Sequence, residues 1–384
     1  MKVLYITNSI NKGGATVAIL NLLTELQKIG VEPMVLYPET GDFSKQLSRL
    51  GIKHGVLHNP LEVYPYTGNW GSRIKFPCKL FQLMVRRRTS YVRLCRYIED
   101  FKPDIIHTNV GPIHIGYKAA KRYNLPHVWH IREYQIEDFN LHPFPTLRHY
   151  LEMIHDTNSH CICITKGLFN HFKLDPIKDR VIYDGVIDRN QRKDILSEKQ
   201  NYILFAGRLE DAKGLKDLIV AYRSYLEQGG KHFLYVAGNG SQSYIDACRN
   251  LLKEEQQDMI RFLGLRNDIF ELMSHAALLV VPSRNEGFGF ITAEAMFNGT
   301  LVIGRNTGGT KEQFDNGLQL IGREIGVRYE SLSELICKLK EYDDVSDRNI
   351  QMIRDAQNTV CCLYDKALQA RKVFDFYLEI LHRN

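Results

Sequence analysis

The short apolar run Ala276–Val281 (AALLVV), followed by a glycine-rich loop and a compact helix, constrains the fold of this chain more than any other stretch. A strand without a polar face is one buried on both sides, as in a parallel sheet covered by helices. A loop must follow, and Ile291–Phe297, rich in Ala, Glu and Met, then reads as a helix that Gly299 stops. Glu286 therefore leaves a strand end and Glu294 rides the next helix. In open α/β sheets, ligands bind beyond the carboxyl ends of the strands. Gly287 and Gly289 let backbone N–H groups come close to a ligand, and the helix start near Ile291 and Thr292 offers unpaired donors suited to phosphate. Two carboxylates there suit hydroxyls. The stretch reads as a place where a sugar and a diphosphate are held together.

At 384 residues the chain exceeds one ordinary core, and two domains of about 150–200 residues are expected. The eight cysteines include no C-x-x-C pair, and reduced cytosolic thiols are the expectation. No apolar run reaches the roughly 18–20 residues that cross a bilayer, and the N-terminus lacks a leader pattern. A cytoplasmic protein is expected. A net charge of +6 permits an anionic partner, a nucleotide or an anionic lipid surface, without choosing between them, and no nucleic-acid partner is expected.

In the first half, Lys2–Thr7 is a strand, Asn8–Gly14 a loop and Ala15–Ile29 a helix. The spacing is neither G-x-G-x-x-G nor a P-loop. Gly13 and Gly14 either make a tight turn for helix packing or face a ligand. Arg73–Phe101 is a basic amphipathic stretch, with Leu80, Leu83, Met84, Leu94 and Ile98 on one face and Arg86, Arg87, Arg88, Arg93 and Arg96 on another. Such a face is either merely solvated or sits on an anionic membrane, here the inner membrane face. The strand Pro103–Thr108 ends at His107 and Leu125–Ile131 at His130. Either histidine can serve a ligand or a structural hydrogen bond, and His130, followed by Arg132 and Glu133, has the better claim. Cys161 and Cys163 alternate in His160–Thr165 and read as core. Val181–Ile187 closes this half, and Asp188–Asn201 reads as a linker.

The second half repeats the strand, loop and helix order. Tyr202–Ala206 leads into Gly207, Arg208, Lys213 and Gly214, then a helix to Gln228. Arg208 can fork onto phosphate oxygens and Lys213 adds a point charge, so together they can stabilise a leaving diphosphate. Phe233–Ala237 ends in Gly238-Asn239-Gly240, a turn near the ligand. Leu265 and Arg266 follow the strand Ile260–Leu263 and can border a nucleobase. Leu301–Gly304 is followed by Gly308-Gly309-Thr310, another close backbone approach, then a polar region and a C-terminal helix.

With Gly207-Arg208, Lys213-Gly214, Glu286-Gly287-Phe288-Gly289-Phe290 and Glu294-Ala295-Met296 in order, the sequence resembles family 4 glycosyltransferases. The resemblance spans nearly the whole chain and is strongest over about 202–312. It implies an α/β chain of two Rossmann-like domains facing across a cleft, the GT-B fold. Residues 1–187 would form the acceptor-side domain, with the helix at about 366–384 packing back on it, and 188–365 the donor domain. It also implies retaining transfer from a nucleotide sugar, UDP more often than GDP, with no cofactor and no essential metal. By the resemblance Arg208 and Lys213 bind the diphosphate, Glu286 the donor sugar, Glu294 the ribose, and backbone at Phe288–Ile291 lies under sugar and phosphate. His130 falls where the family contacts the transferred sugar, and the loop at Gly14 faces the phosphates and acceptor. The acceptor would be a glycan or lipid-linked hydroxyl. Two departures stand out: Asn109 where many members carry histidine, and Asp184 where Asn commonly precedes Gly. A nucleotide-sugar epimerase of the same fold, or a catalytically silent nucleotide-sugar-binding subunit, remains an alternative; a metal-dependent transferase would need a D-x-D strand end, which the sequence lacks.

Overall fold

The computed structural model describes residues 1–383 apart from 12, 59, 60, 66–69, 71–73, 137–139, 285 and 344–346. Arg73, part of the basic stretch, lies outside the described residues, as do parts of the loops flanking residues 70 and 138 in which an acceptor specificity would reside. The chain divides into two compact units, Met1–Gly185 with Lys366–Asn384, and Val186–Asp365.

The first unit alternates strand and helix: β1 (Lys2–Thr7), α1 (Gly14–Lys28), β2 (Glu32–Tyr37), α2 (Asp42–Arg49), β3 (Lys53–Val56), α3 (Phe76–Phe101), β4 (Ile105–Asn109), α4 (His114–Tyr123), β5 (His127–Ile131), α5 (Leu147–Ile154), β6 (Ser159–Cys163), α6 (Lys166–His171) and β7 (Arg180–Val181). The strands form one parallel sheet in the order β3-β2-β1-β4-β5-β6-β7. Strands β4, β5 and β6 are buried along their whole length, and their polar side chains, among them His107, His127 and Ser159, are buried with them. Thr146 and Thr165 accept N-cap hydrogen bonds from His149 and Leu168 and start α5 and α6.

The second unit holds β8 (Gln200–Ala206), α7 (Leu215–Glu227), β9 (Phe233–Ala237), α8 (Gln242–Arg249), β10 (Ile260–Gly264), α9 (Ile269–His275), β11 (Ala276–Val281), α10 (Phe290–Phe297), β12 (Leu301–Arg305), α11 (Gly308–Ile321), β13 (Val327–Tyr329), α12 (Leu332–Glu341) and α13 (Asp347–Leu363). Its sheet is parallel in the order β10-β9-β8-β11-β12-β13. The last helix, α14 (Lys366–Arg383), returns to the first unit, where Val373, Phe376, Tyr377 and Ile380 join the core against α1 and β1.

Four expectations are corrected. Met84 is 46% exposed rather than packed with the buried Leu83, Leu94 and Ile98 of α3. Arg87 is not on the solvated basic face: its Nε lies 2.8 Å from the buried carboxylate of Glu62. The strand expected over Val181–Ile187 stops at Val181, because Asp184 beyond it is drawn into an ion pair with Arg132. The polar region after Gly309 is itself ordered as α11, β13, α12 and α13; β13, α12 and α13 supply apolar residues to the second core, and α11 buries Phe314.

Candidate active site

In the second unit, chain order runs outward from β8 to β9 and β10 on one side, and from β11 to β12 and β13 on the other. The sheet therefore reverses its winding between β8 and β11, and a crevice opens beyond their carboxyl ends. Lys213 follows β8 and Glu286 follows β11, so both arrive at that crevice.

They meet there. Lys213 Nζ lies 2.7 Å from Glu286 Oε1, with both side chains about one-fifth exposed. Ser283 Oγ donates to the same Oε1 at 2.7 Å. Among the described residues no hydrogen bond engages Oε2, so the carboxylate is held by one oxygen and offers the other. An ammonium has three donors, and this pair uses one of them. Lys213 is thus aimed by Glu286 while keeping two N–H groups for an anion.

The loops meet because their backbones are in contact. A Cβ on Gly214, whose φ is +72°, would stand 2.2 Å from the carbonyl oxygen of Pro282, so only glycine lets the Lys213 turn close onto the exit of β11. Arg284 N–H donates to Ala212 O at 3.2 Å across the same junction. On the far side, a Cβ on Gly309 would lie 2.1 Å from Phe288 O, and Gly309 N–H donates to Glu286 O at 2.7 Å. Gln313 Nε2 donates to Phe288 O at 2.6 Å and Gly289 O at 2.9 Å. These bonds tie down the carbonyls of the Gly287–Ile291 segment at the start of α10. Phe288 itself is buried, edge-on to Tyr364 at 5.1 Å. Phe290 and Ile291 open α10, and Glu294 lies half-buried in its second turn.

The remaining second-unit candidates occupy the same sheet edge. Gly207 and Gly238 end β8 and β9, and Gly207 N–H donates to Ala237 O at 3.0 Å. Asn239 O accepts from Leu209 N–H at 2.8 Å. Arg208 is exposed and paired with Glu210 at 3.0 Å. An ion pair this open to water is worth at most about 1 kcal/mol, so breaking it costs the guanidinium little. Leu265 is 78% exposed just after β10, an apolar surface with no partner side, while Arg266 is held by Asp268 at 2.5 Å. Ser283 and Gln313 were not singled out from sequence. Ser283 carries a weak signal, three residues before Glu286 in the spacing of a capping box. Gln313 carries none.

In the first unit Gly14 opens α1 beyond β1, at the edge where the winding reverses between β1 and β4. His130 is placed differently from the expectation. It is 1% exposed with both ring nitrogens engaged: Nδ1 lies 3.2 Å from His107 Nε2, and Arg132 Nη1 lies 3.3 Å from Nε2. Arginine only donates, so His130 Nε2 accepts and its proton sits on Nδ1. His107 then accepts at Nε2 and carries its proton at Nδ1, 2.6 Å from the Tyr377 hydroxyl, which lies 2.8 Å from that of Tyr5. Burial, with Arg132 adding repulsion, pushes His107 down to about 3 and His130 well below the usual imidazole range. Both rings are neutral at pH 7. A hydrogen bond from His130 to a sugar would need a nitrogen this network already uses.

Arg132 anchors the other end. It pairs with buried Asp184, and its Nη1 also lies 3.4 Å from Asn109 Oδ1. Gln369 Nε2 on α14 donates to the second Asp184 oxygen at 3.1 Å. Asn109 and Asp184, the two departures from the family pattern, are therefore both partners of one arginine.

Comparison with known proteins matches these two units in turn. The family model described as Glycosyltransferase Family 4 matches residues 12–189, and that described as Glycosyl transferases group 1 matches residues 186–358. The chain belongs to the family 4 glycosyltransferases. Among curated relatives, D-inositol 3-phosphate glycosyltransferase of Corynebacterium glutamicum (strain R) is 23% identical over 379 residues, covering 90% of this chain and 87% of that one. N-acetyl-alpha-D-glucosaminyl L-malate synthase of Bacillus anthracis is 24% identical over 183 residues, and there the match spans 47% of this chain and 43% of the relative's length. Among solved structures, the glycosyltransferase from Rickettsia africae ESF-5 superposes with a TM-score of 0.78 at 19% identity, covering 100% of this chain and 99% of that one. Anabaena Alr3699/HepE, solved in complex with UDP and glucose, gives 0.74 at 19% identity and 98% of both chains. At these identities the structural likeness is one of fold, two parallel-sheet α/β units as in GT-B glycosyltransferases. Among the described residues, no three His, Cys, Asp or Glu side chains gather as a metal-holding group, and no helix is long and apolar enough to cross a membrane.

Proposed function

We propose that this family 4 member is a retaining transferase that moves a sugar from a nucleotide sugar of the UDP type to a hydroxyl of a glycan or lipid-linked acceptor, in cell-surface polysaccharide synthesis. The observation that carries the reading is the 2.7 Å contact of Lys213 with Glu286 at the point where the second sheet reverses its winding. Lys213, Arg208 and the first N–H groups of α10 offset the charge that grows on the departing diphosphate. Glu286 Oε2 accepts a hydroxyl of the donor sugar, and Glu294 one of the ribose. Leu265 borders the base. As the bond from the anomeric carbon to phosphate oxygen breaks, the acceptor oxygen bonds to the same face of that carbon and its proton passes to the leaving phosphate. No protein base is needed in this scheme. The choice of UDP is supported by the ligand of the Anabaena structure and rests on that analogy.

Incubation with a panel of UDP- and GDP-sugars and an extract of glycolipid acceptors, read by mass spectrometry, tests the proposal. A mass gain of one sugar on an acceptor, with release of nucleoside diphosphate, is the expected result. Isomerisation of a donor without acceptor, or no consumption of any donor, would overturn it.

We place the protein against an anionic membrane surface, on the cytoplasmic side. Helix α3 supports this reading with a second apolar line opposite its buried one: Phe81 is 65% exposed, Val92 49% and Val85 46%. Arg88, Arg93 and Arg96 flank that line. Exposed apolar residues among cations suit a helix lying in the headgroup layer. Co-sedimentation with vesicles containing anionic lipid is expected, and should weaken in Phe81→Asp/Val85→Asp; equal sedimentation of that variant would remove the claim.

A further inference from the structure

A cavity of about 440 Å³ opens in the first unit between α3 and the two loops that face it. Its apolar wall is Leu61, Val63, Tyr64 and Leu141, and its opposite wall is a row on α3: Lys79, Gln82 and Arg86. The apolar wall is built rather than incidental. Val63 pairs with Pro143 in an antiparallel bridge, Tyr64 N–H donates to His142 O at 2.9 Å, and the Tyr64 hydroxyl donates to Pro145 O at 2.9 Å. Phe144 N–H donates to Glu62 O at 2.8 Å, and buried Glu62 is tied in turn to Arg87 on α3. The loops and the helix are therefore fastened to one another on either side of the opening.

The cationic row is different in kind. Lys79 and Arg86 stand seven residues apart, two turns along one face of α3, with Gln82 between them. Two turns are about 10 Å, and both side chains are long enough to converge over one group placed midway. Among the described residues no carboxylate pairs with either cation, and the head of Gln82 has no partner. Elsewhere on the surface, lysines and arginines are often paired: Lys53 with Glu32, Lys121 with Asp156, Arg148 with Glu152. Two cations that no described carboxylate neutralises, and an amide, facing a wall that is apolar except for Asn140, describe a site for a group that is anionic on one side and hydrocarbon on the other.

We infer that this cavity receives the acceptor as a phosphorylated amphiphile, its phosphate on Lys79, Gln82 and Arg86 and its first hydrocarbon segment against Leu61, Val63 and Leu141. The inference rests on the glycosyltransferase reading for the word acceptor, but the site itself is tested without turnover. The phosphate is fixed by charge-assisted bonds from a forked guanidinium and an ammonium, which neither a neutral lipid nor an unphosphorylated glycan supplies with a counterpart. The hydrocarbon is fixed by burial against the apolar wall, which inorganic phosphate cannot exploit.

The test is equilibrium binding by titration calorimetry to the whole protein, with farnesyl diphosphate below its micelle concentration as the probe. Farnesol and inorganic pyrophosphate are the two controls. Farnesyl diphosphate is expected to bind at least about tenfold more tightly than either control, and Lys79→Glu/Arg86→Glu to lose at least about tenfold. Lys45→Glu, exposed on α2, should bind as wild type does. An unchanged melting temperature and unchanged UDP binding establish that the double variant is folded. Pyrophosphate binding as tightly as farnesyl diphosphate, or the double variant retaining full affinity, or no binding of the probe up to about 1 mM, would each overturn the inference. Failure of the donor panel to give transfer would strike the proposed reaction and leave this binding result standing; loss of probe binding with transfer intact would do the reverse.

Discussion

Replacing Lys213 by alanine is expected to lower turnover by about a hundred- to a thousandfold, the usual loss when one preorganised donor to a developing charge is removed. Lys213 acts in two ways. Its ammonium reaches the crevice between β8 and β11, and its one bond to Glu286 Oε1 keeps that carboxylate in place with Ser283. Alanine removes a charge from the leaving group and frees Glu286 together. Lys213→Arg should recover part of the rate, since charge returns while the compact geometry does not. Glu286→Gln should behave differently. It keeps the shape and a hydrogen bond but not the charge that aims Lys213, so kcat should fall more than the affinity for nucleoside diphosphate changes. Steady-state kinetics on the donor found by the panel, with calorimetric UDP binding beside it, separates the two. Full activity of Lys213→Ala would remove the mechanism.

The second large effect concerns stability. Asp184→Ala is expected to destabilise the protein by about 3–5 kcal/mol, because it leaves the Arg132 guanidinium buried without its counter-charge. Both partners are almost wholly inside the first unit, so water does not make up the loss. Asp184→Asn, which restores the family's usual residue, keeps an acceptor for Arg132 and should cost less. The damage should spread along the chain of bonds, since Arg132 also decides which nitrogen of His130 carries the proton, and through it the orientation of His107 and Tyr377. Urea unfolding followed by circular dichroism reads the difference, and a loss below about 1 kcal/mol for Asp184→Ala would show that the pair does not hold the core as described.

How far the chain could be read in advance follows from the kind of signal each part carries. The strand Ala276–Val281 is buried almost throughout, and burial on both faces leaves an apolar run that needs no partner to be seen. On helix α3 a list of apolar residues does not say which of them pack: Met84 is exposed although it lies about 40° round the helix from buried Ile98. Only the packed structure separates Leu83, Leu94 and Ile98 from Phe81, Val85 and Val92. Helices α11 and α13 bury residues such as Phe314, Ile353 and Val360 within segments otherwise rich in charge, so composition shows only a polar region there. At the site, Arg208, Lys213 and Glu286 were visible as a spaced motif, whereas Gln313 was not, because its bonds to Phe288 and Gly289 cross a gap of 24 residues or more closed only by the fold. The same holds for Asn109 and Asp184. In sequence they are two unrelated departures; in the fold one arginine joins them. His130 shows the converse: a polar residue at a strand's carboxyl end invites a ligand, and here neighbouring side chains take both its nitrogens first.

The central claim is that a nucleoside diphosphate sits where Lys213 and Glu286 meet, and hydrogen exchange with and without UDP addresses it most directly. The account predicts slowed exchange on binding in two separate peptides, one covering Gly207–Gly214 and one covering Glu286–Glu294, with both effects lost in Lys213→Ala. Protection confined to other segments, or protection of these two that survives in Lys213→Ala, would contradict it.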